Sequence, residues 1–166
     1  MLLWLIEPDV FQMPQLHKHF NVAANTKSPY PQMKFFCQDI SISDEEFGCT
    51  ISLSENRDEY NEEKADKILK MSPSEVAKSI GQYVMLQRSY PDDDFEKDYY
   101  YFETSDSTRS GELENFKIEL DPERFLMHRD NDIYAIDIKP SKREFAKLKT
   151  VLKKIVNDRG GLVIHD

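Results

Sequence analysis

Ser141-Lys142-Arg143-Glu144-Phe145-Ala146-Lys147-Leu148-Lys149-Thr150-Val151-Leu152-Lys153-Lys154-Ile155-Val156 is the stretch on which the fold turns. Phe145, Leu148, Val151, Leu152, Ile155 and Val156 recur at spacings of 3, 3, 1, 3 and 1, which is the rhythm of one apolar face on a helix. Ser141, with Glu144 three residues later, makes a capping box at the start. Gly160-Gly161 is expected to stop the helix. Burying the six apolar side chains contributes about 10 kcal/mol as an upper bound from area. The helix is therefore expected to support a sheet, with Lys142, Lys147, Lys149, Lys153 and Lys154 on its solvated side. Lys153 and Lys154 also suit the negative end of the helix dipole.

The segments before this helix alternate at the period of strands. Tyr134, Ile136 and Ile138 alternate with Ala135 and Asp137 after a turn-like Asn131-Asp132, and Phe116, Ile118 and Leu120 alternate with Lys117 and Glu119. Asp121-Pro122-Glu123 reads as one short helical turn. Tyr99 to Thr104 has high β-propensity. Ile40 and Ile42, then Ile51 and Leu53, alternate with serines around Asp44-Glu45-Glu46-Phe47-Gly48, which predicts a β-hairpin. Ser72-Pro73-Ser74-Glu75 starts a second helix, with Val76, Ala77 and Ile80 on one face and Gly81 weakening it. Tyr83 to Gln87 fits either its last turns or a new strand. Glu55 to Lys70 is charged enough to be a loop or a solvated helix. Leu2 to Ile6 suits a short strand, after which Pro14, Pro29 and Pro31 interrupt any regular element.

The expected architecture is one α+β domain over residues 1–166. A mostly antiparallel sheet packs against the C-terminal amphipathic helix and one other helix. Residues 1–32 form an irregular N-terminal wrap, 33–157 the core, and 158–166 a tail.

A chain of 166 residues can bury a core without disulfides or a structural metal. The formal net charge is −9, and it is unevenly spread. Residues 44–132 hold 24 acids and 11 bases, whereas residues 133–166 hold four acids and eight bases. Such a surface repels nucleic-acid backbones and anionic membranes, because affinity for phosphates comes from Lys and Arg. A basic protein partner suits it. Cys37 and Cys49 read as reduced, buried thiols of a cytosolic protein. The opening Met1-Leu2-Leu3-Trp4-Leu5-Ile6 lacks the basic start and apolar length of a signal peptide, and no run approaches a membrane span. The expectation is a cytoplasmic protein.

Chemistry-bearing motifs are scarce. His17 and His19 form an HxH pair that would point one way on a strand and could share a metal. His128 and His165 have no ligand spacing to it, so no metal site is assigned, and a metal-dependent hydrolase is a minor reading. Asp92-Asp93-Asp94 with Glu96 and Asp98 lacks EF-hand spacing and a turn glycine. A solvated charge run or a docking surface for a basic partner fits it better. No G-x-S-x-G, P-loop, dinucleotide fingerprint or H-E-x-x-H is present. The cysteines have no helix N-terminus to activate them. The residues point to a binding protein with no cofactor and no catalytic residues.

One order of segments resembles a family. Tyr83-Val84-Met85-Leu86-Gln87-Arg88 precedes the acidic run Asp92 to Asp98. The aromatic strand Tyr99 to Thr104 comes next, then strands at Leu113 to Leu120 and Tyr134 to Ile138, and a closing helix through Ile155. This is similar to the bacterial polymorphic-toxin immunity proteins of the contact-dependent inhibition type, most closely the family numbered ten. There, a leucine-rich strand ending in Gln-Arg precedes an acidic loop and an aromatic strand ending in Glu, which Glu103 matches. The likeness spans roughly residues 36 to 157; the N-terminal thirty residues and Glu55 to Lys70 depart from it. It implies a non-catalytic cytoplasmic protein that binds and neutralises a cognate toxin encoded beside it. A nuclease domain with a basic cleft would suit the acidic charge as partner, and association would be fast. The partner-binding residues expected are Asp92, Asp93, Asp94, Glu96 and Asp98, with Tyr99 and Tyr101 as aromatic anchors. The alternative is a general interaction or adaptor domain. An exposed sheet edge would admit either a second copy or a strand of the partner.

Overall fold

The computed structural model describes residues 31–57, 66–93 and 95–166. The Leu2 to Ile6 strand, the His17/His19 pair and all but residues 31–32 of the expected 1–32 wrap lie outside the described residues, as do Asp94 and residues 58–65. Among the described residues, ten strands and two α-helices form the frame, with residues 66–68 also helical and a 3-10 turn at Ser107–Arg109. They run β1 Met33–Phe36, β2 Asp39–Glu45, β3 Gly48–Ser54, α1 Pro73–Ile80, β4 Tyr83–Ser89, β5 Tyr99–Thr104, β6 Gly111–Glu112, β7 Phe116–Leu120, β8 Arg124–Arg129, β9 Asp132–Asp137, α2 Lys142–Val156 and β10 Gly161–Ile164. The architecture is α+β, as expected, and the strands divide into two five-stranded sheets. The first has the order β1-β9-β8-β7-β10 and the second β2-β3-β4-β5-β6. Pairing is antiparallel except at the two edges of the first sheet, where β1 runs parallel to β9 and β10 parallel to β7.

The second sheet is a meander whose neighbours are consecutive in sequence. Its hairpin β2–β3 closes on Glu45 opposite Gly48, with Ile42 opposite Ile51. That register turns Cys49, Ile51, Leu53, Val84, Leu86, Tyr100 and Phe102 inward to less than 2% exposure, and the alternating hydroxyls outward. The inner faces meet where the Phe102 and Tyr134 rings pack edge to face with centroids 5.0 Å apart. On the other side α2 lies against β2, β3 and β4 and against β10. Leu148, Val151, Leu152, Ile155 and Val156 are buried in one continuous core. Both predicted capping boxes form: Ser72 with Glu75 on α1, and Ser141 with Glu144 on α2.

Several expectations are corrected. Asn157, in the left-handed region at φ 44°, ends α2 before Gly160-Gly161 is reached. Gly160 is needed for a different reason: a Cβ there would sit 2.6 Å from Cζ of the buried Phe116 ring. The expected tail carries β10, and His165 N–H continues its ladder by donating to Leu120 C=O at 2.8 Å. Asp121-Pro122-Glu123 starts no helical turn. It belongs to the tight turn joining β7 to β8, in which Asp121 and Arg124 exchange backbone hydrogen bonds. The strand Arg124–Arg129 was missed in the sequence, because the unbroken Phe125-Leu126-Met127 run hides the alternation of buried Phe125 and Met127 with half-buried Leu126. Tyr83 to Gln87 is strand and not helix. Gly81, at φ 76°, ends α1, and the Asn56 amide caps the Ser79 and Ile80 carbonyls at 3.2 and 3.1 Å.

Cys37 and Cys49 are free and buried. Burial pushes the Cys37 thiol from its ordinary 9.0 up to about 11, against the backbone hydrogen bonds of Ser54 and Asp39.

Two stability outcomes are expected. Gly160→Ala should destabilise the fold by about 1–3 kcal/mol through its collision with Phe116, measured by urea denaturation. Because the unfolded thiol ionises near 9 and the folded one near 11, the stability Cys37 contributes is complete below pH 9 and is lost as pH rises towards 11. Urea midpoints should therefore fall between pH 8.5 and 11 less steeply in Cys37→Ala than in the wild type.

Candidate functional site

The outward positions of the second sheet form rows across its strands. Glu45, Gly48, Ser89 and Tyr99 make one row. The next holds Ser43, Thr50, Gln87, Tyr101 and Glu112, and the third Ser41, Ser52, Met85 and Glu103. Asp39, Ser54 and Tyr83 complete the face. Among the described residues, these rows hold four carboxylates and no Lys or Arg. The alternation that buries the core thus leaves an outer surface of small hydroxyls, tyrosines and acids, whose Asp39–Tyr83 end floors a hollow of about 620 Å³ walled by Arg57, Ile68, Val76 and Ile80. The Tyr99 and Tyr101 rings stack on it with centroids 6.2 Å apart at 22°. Both expected anchors therefore point to the outer face, while Tyr100 between them enters the core. Tyr83 Oη donates to Glu103 Oε1 at 2.5 Å. Burial first, and the Glu103 carboxylate second, push the Tyr83 phenol up to about 12.

At the Tyr99 end, the β2–β3 turn and the β4–β5 loop lie side by side, since Tyr90 N–H donates to Phe47 C=O at 2.9 Å. Two aromatic side chains stand out there: Phe47 is 67% exposed and Phe95 95%. Glu45, Glu46, Asp92, Asp93 and Glu96 are exposed around them, with Lys97 the loop's one cation. Large exposed rings within a charged rim are the composition of a protein-binding surface. Phe47 and Phe95 were missed in the sequence because each is a lone apolar residue in a turn. Their only signal was an aromatic set among acids, with no periodicity to bury it.

The acidic run divides into different roles. Asp93 Oδ1 accepts from the N–H groups of Phe95 and Glu96 at 2.8 and 3.1 Å, and Glu96 Oε2 accepts from Asp92 N–H at 3.3 Å. These bonds fold the loop on itself, and the Asp92 side chain is exposed. Asp98 is turned inward: its Oδ2 accepts from Arg88 Nη2 at 2.8 Å and from Tyr100 Oη at 3.4 Å. Asp98 thus supports the loop through Arg88, whereas Asp92, Asp93 and Glu96 of the expected set are exposed. Arg88 also donates through Nη1 to the Lys154 carbonyl at 2.6 Å, in the last turn of α2. Its guanidinium lies 5.2 and 5.5 Å from the Tyr90 and Tyr100 ring centroids. Burial opposes the Arg88 charge, and the bond to Asp98 with the two phenols more than offsets it, so its pKa is raised. The Tyr90 phenol is pushed up to about 12, first by its hydrogen bond with Cys49 and then by burial.

Among the described residues, no group of three or more His, Cys, Asp or Glu is placed to hold a metal ion. No described helix is long and apolar enough to cross a membrane. No family model, curated protein or solved structure matches the chain.

The division within the acidic run is measurable. Asp98→Ala should cost about 2 kcal/mol, because it strips a largely buried guanidinium of its carboxylate. Asp92→Ala should stay within about 0.5 kcal/mol of the wild type. Thermal or urea denaturation of the two variants checks the contrast.

Proposed function

We propose that the chain is an immunity protein: it binds a cognate toxin domain encoded nearby and neutralises it without catalysis, in the cytoplasm. The observation that carries this reading is the outer face of the second sheet, whose strand rows hold four carboxylates and no Lys or Arg among the described residues, with Arg57 only at the Asp39 margin. That face continues into the turn and loop that expose Phe47 and Phe95 among carboxylates. A basic cleft evolved to hold phosphates would meet these acids in their place. The rings supply the desolvated contacts that hold such a complex once formed, since charge mainly governs capture and specificity. The resemblance in Tyr83 to Arg88 and the segments after it adds a second, independent support. Arg88 of that hexapeptide anchors the acidic loop through Asp98, so the likeness falls on a pair that shapes the surface.

The decisive experiment expresses the C-terminal domain of the neighbouring large open reading frame with and without this protein. Killing by that domain, with restored growth and co-purification in the presence of the chain, is the expected result. A harmless neighbour, or one that kills regardless, overturns the reading in favour of an adaptor domain. With the partner in hand, the double reversal Asp92→Lys, Asp93→Lys should weaken binding at least about tenfold, mainly through slower association at low salt. Asp92→Lys alone should move folding stability by less than about 0.5 kcal/mol, whereas Asp93→Lys also gives up the acceptor of the Phe95 and Glu96 N–H groups.

A further inference from the structure

We propose that two copies of the chain pair through β10, antiparallel about Val163, joining their first sheets into one continuous sheet. Among the described residues β10 is an edge strand. Edges are ordinarily blunted by charge, proline or extreme shortness, and the other edges of this fold show such devices. Lys147 Nζ caps the Ile42 carbonyl of β2 at 2.7 Å, and Lys154 holds Asp44 of the same strand. β6 has two residues, and β1 carries Lys34. The sequence of β10, Gly-Leu-Val-Ile, has no charge and no proline, and Val163 is 37% exposed.

The backbone geometry determines how such an edge can be used. His165 N–H faces β7, where it meets the Leu120 carbonyl. Successive residues of a strand present their amides to opposite sides. The N–H and C=O groups of Leu162 and Ile164 therefore point to the open edge. Beside that edge, between α2 and β10, runs a groove of about 560 Å³ lined by Lys149, Lys153, Val156, Leu162, Ile164 and Asp166.

A second β10 matches both features. Turned antiparallel about Val163, it sets Leu162 of each copy opposite Ile164 of the other, and their four outward amide groups close four hydrogen bonds. Val163 meets Val163 as a non-hydrogen-bonded pair with Cα atoms about 4.5 Å apart. The inward Leu162 and Ile164 of the second copy enter the apolar part of the groove. The same register carries its Asp166 to Gly160 and past Lys153. Charge complementarity favours this occupant: within one chain an Asp166 carboxylate already lies 2.5 Å from Lys149 Nζ, and Lys153 lines the same groove. This pairing leaves the acidic outer face of the second sheet free.

Sedimentation equilibrium and two substitutions test it. Val163→Lys places like charges opposite each other at the two-fold axis. Within one chain it sets a lysine beside Glu119, the neighbour of Val163 on β7, so the fold is kept. Val163→Cys brings two thiols within disulfide reach across the axis, while Cys37 and Cys49 are buried and do not compete. We expect a concentration-dependent dimer whose dissociation constant rises at least about tenfold in Val163→Lys, and a rapid disulfide-linked dimer in Val163→Cys under mild oxidation. A wild-type monomer at the highest soluble concentration would overturn the proposal. So would a dimer that Val163→Lys leaves intact and Val163→Cys does not cross-link, which would place the contact elsewhere. A monomer whose Leu162 and Ile164 amides are protected from hydrogen exchange would show that another segment fills the edge, and would also refute it.

Discussion

Burial of one face of α2 is the contact on which the two sheets depend. At β5 and β9 the sheets touch directly, through Phe102 and Tyr134. Towards β2 and β10 the space between them is filled by Leu148, Val151, Leu152, Ile155 and Val156. At about 1.5–3 kcal/mol for each fully buried side chain, these five residues contribute an amount comparable to the whole net stability of a small domain. The helix also holds β2 and β4 of the second sheet with polar groups. Lys147 and Lys154 bind β2, and the Lys154 carbonyl receives Arg88. Without α2 the inner faces of β2, β3 and β4 would be open to water, and the acidic loop would lose one of the anchors of its supporting arginine.

The second sheet separates support from recognition by alternation alone. Ile51, Leu86 and Phe102 lie in one row facing α2 and the first sheet. One position along each strand, Thr50, Gln87 and Tyr101 lie in a row facing outward. Because the strand period is two, a slip of one residue in any pair would exchange the faces and bury the hydroxyls. The core therefore enforces the register of the outer surface, and the presenting residues need no packing of their own. Arg88 extends the same economy into the loop: it stands at the inner end of β4, and its pair with Asp98 sets where the loop re-enters β5.

Much of this was legible in the sequence wherever one residue type repeats at a single period. The stripe from Phe145 to Val156 gave α2, and Ile40/Ile42 with Ile51/Leu53 gave the hairpin. The Ser-x-x-Glu pairs located both helix starts. What escaped had no local period. Arg124–Arg129 masks its alternation because Leu126 stands between the two core residues Phe125 and Met127, and β10 is held by a parallel partner, β7, that lies well before it in the chain. Parallel edges of this kind are invisible without the tertiary fold. The partition of the acidic run was equally hidden, because five carboxylates look alike until one of them, Asp98, finds a buried arginine. The exposure of Phe47 and Phe95 likewise depends on two turns meeting at one end of a sheet.

The two sheets also differ in how far along the chain their partners lie. Each strand of the second sheet meets the next one made, whereas β1 waits for β9, about a hundred residues later. At ribosomal speeds of about 5–20 residues per second, Met33 and Phe35 stand without their neighbours for roughly 5–20 s. During synthesis the ladder behind the acidic face can thus assemble first. The β1 edge of the opposite sheet waits longest for its partner, because its ladder spans most of the described chain.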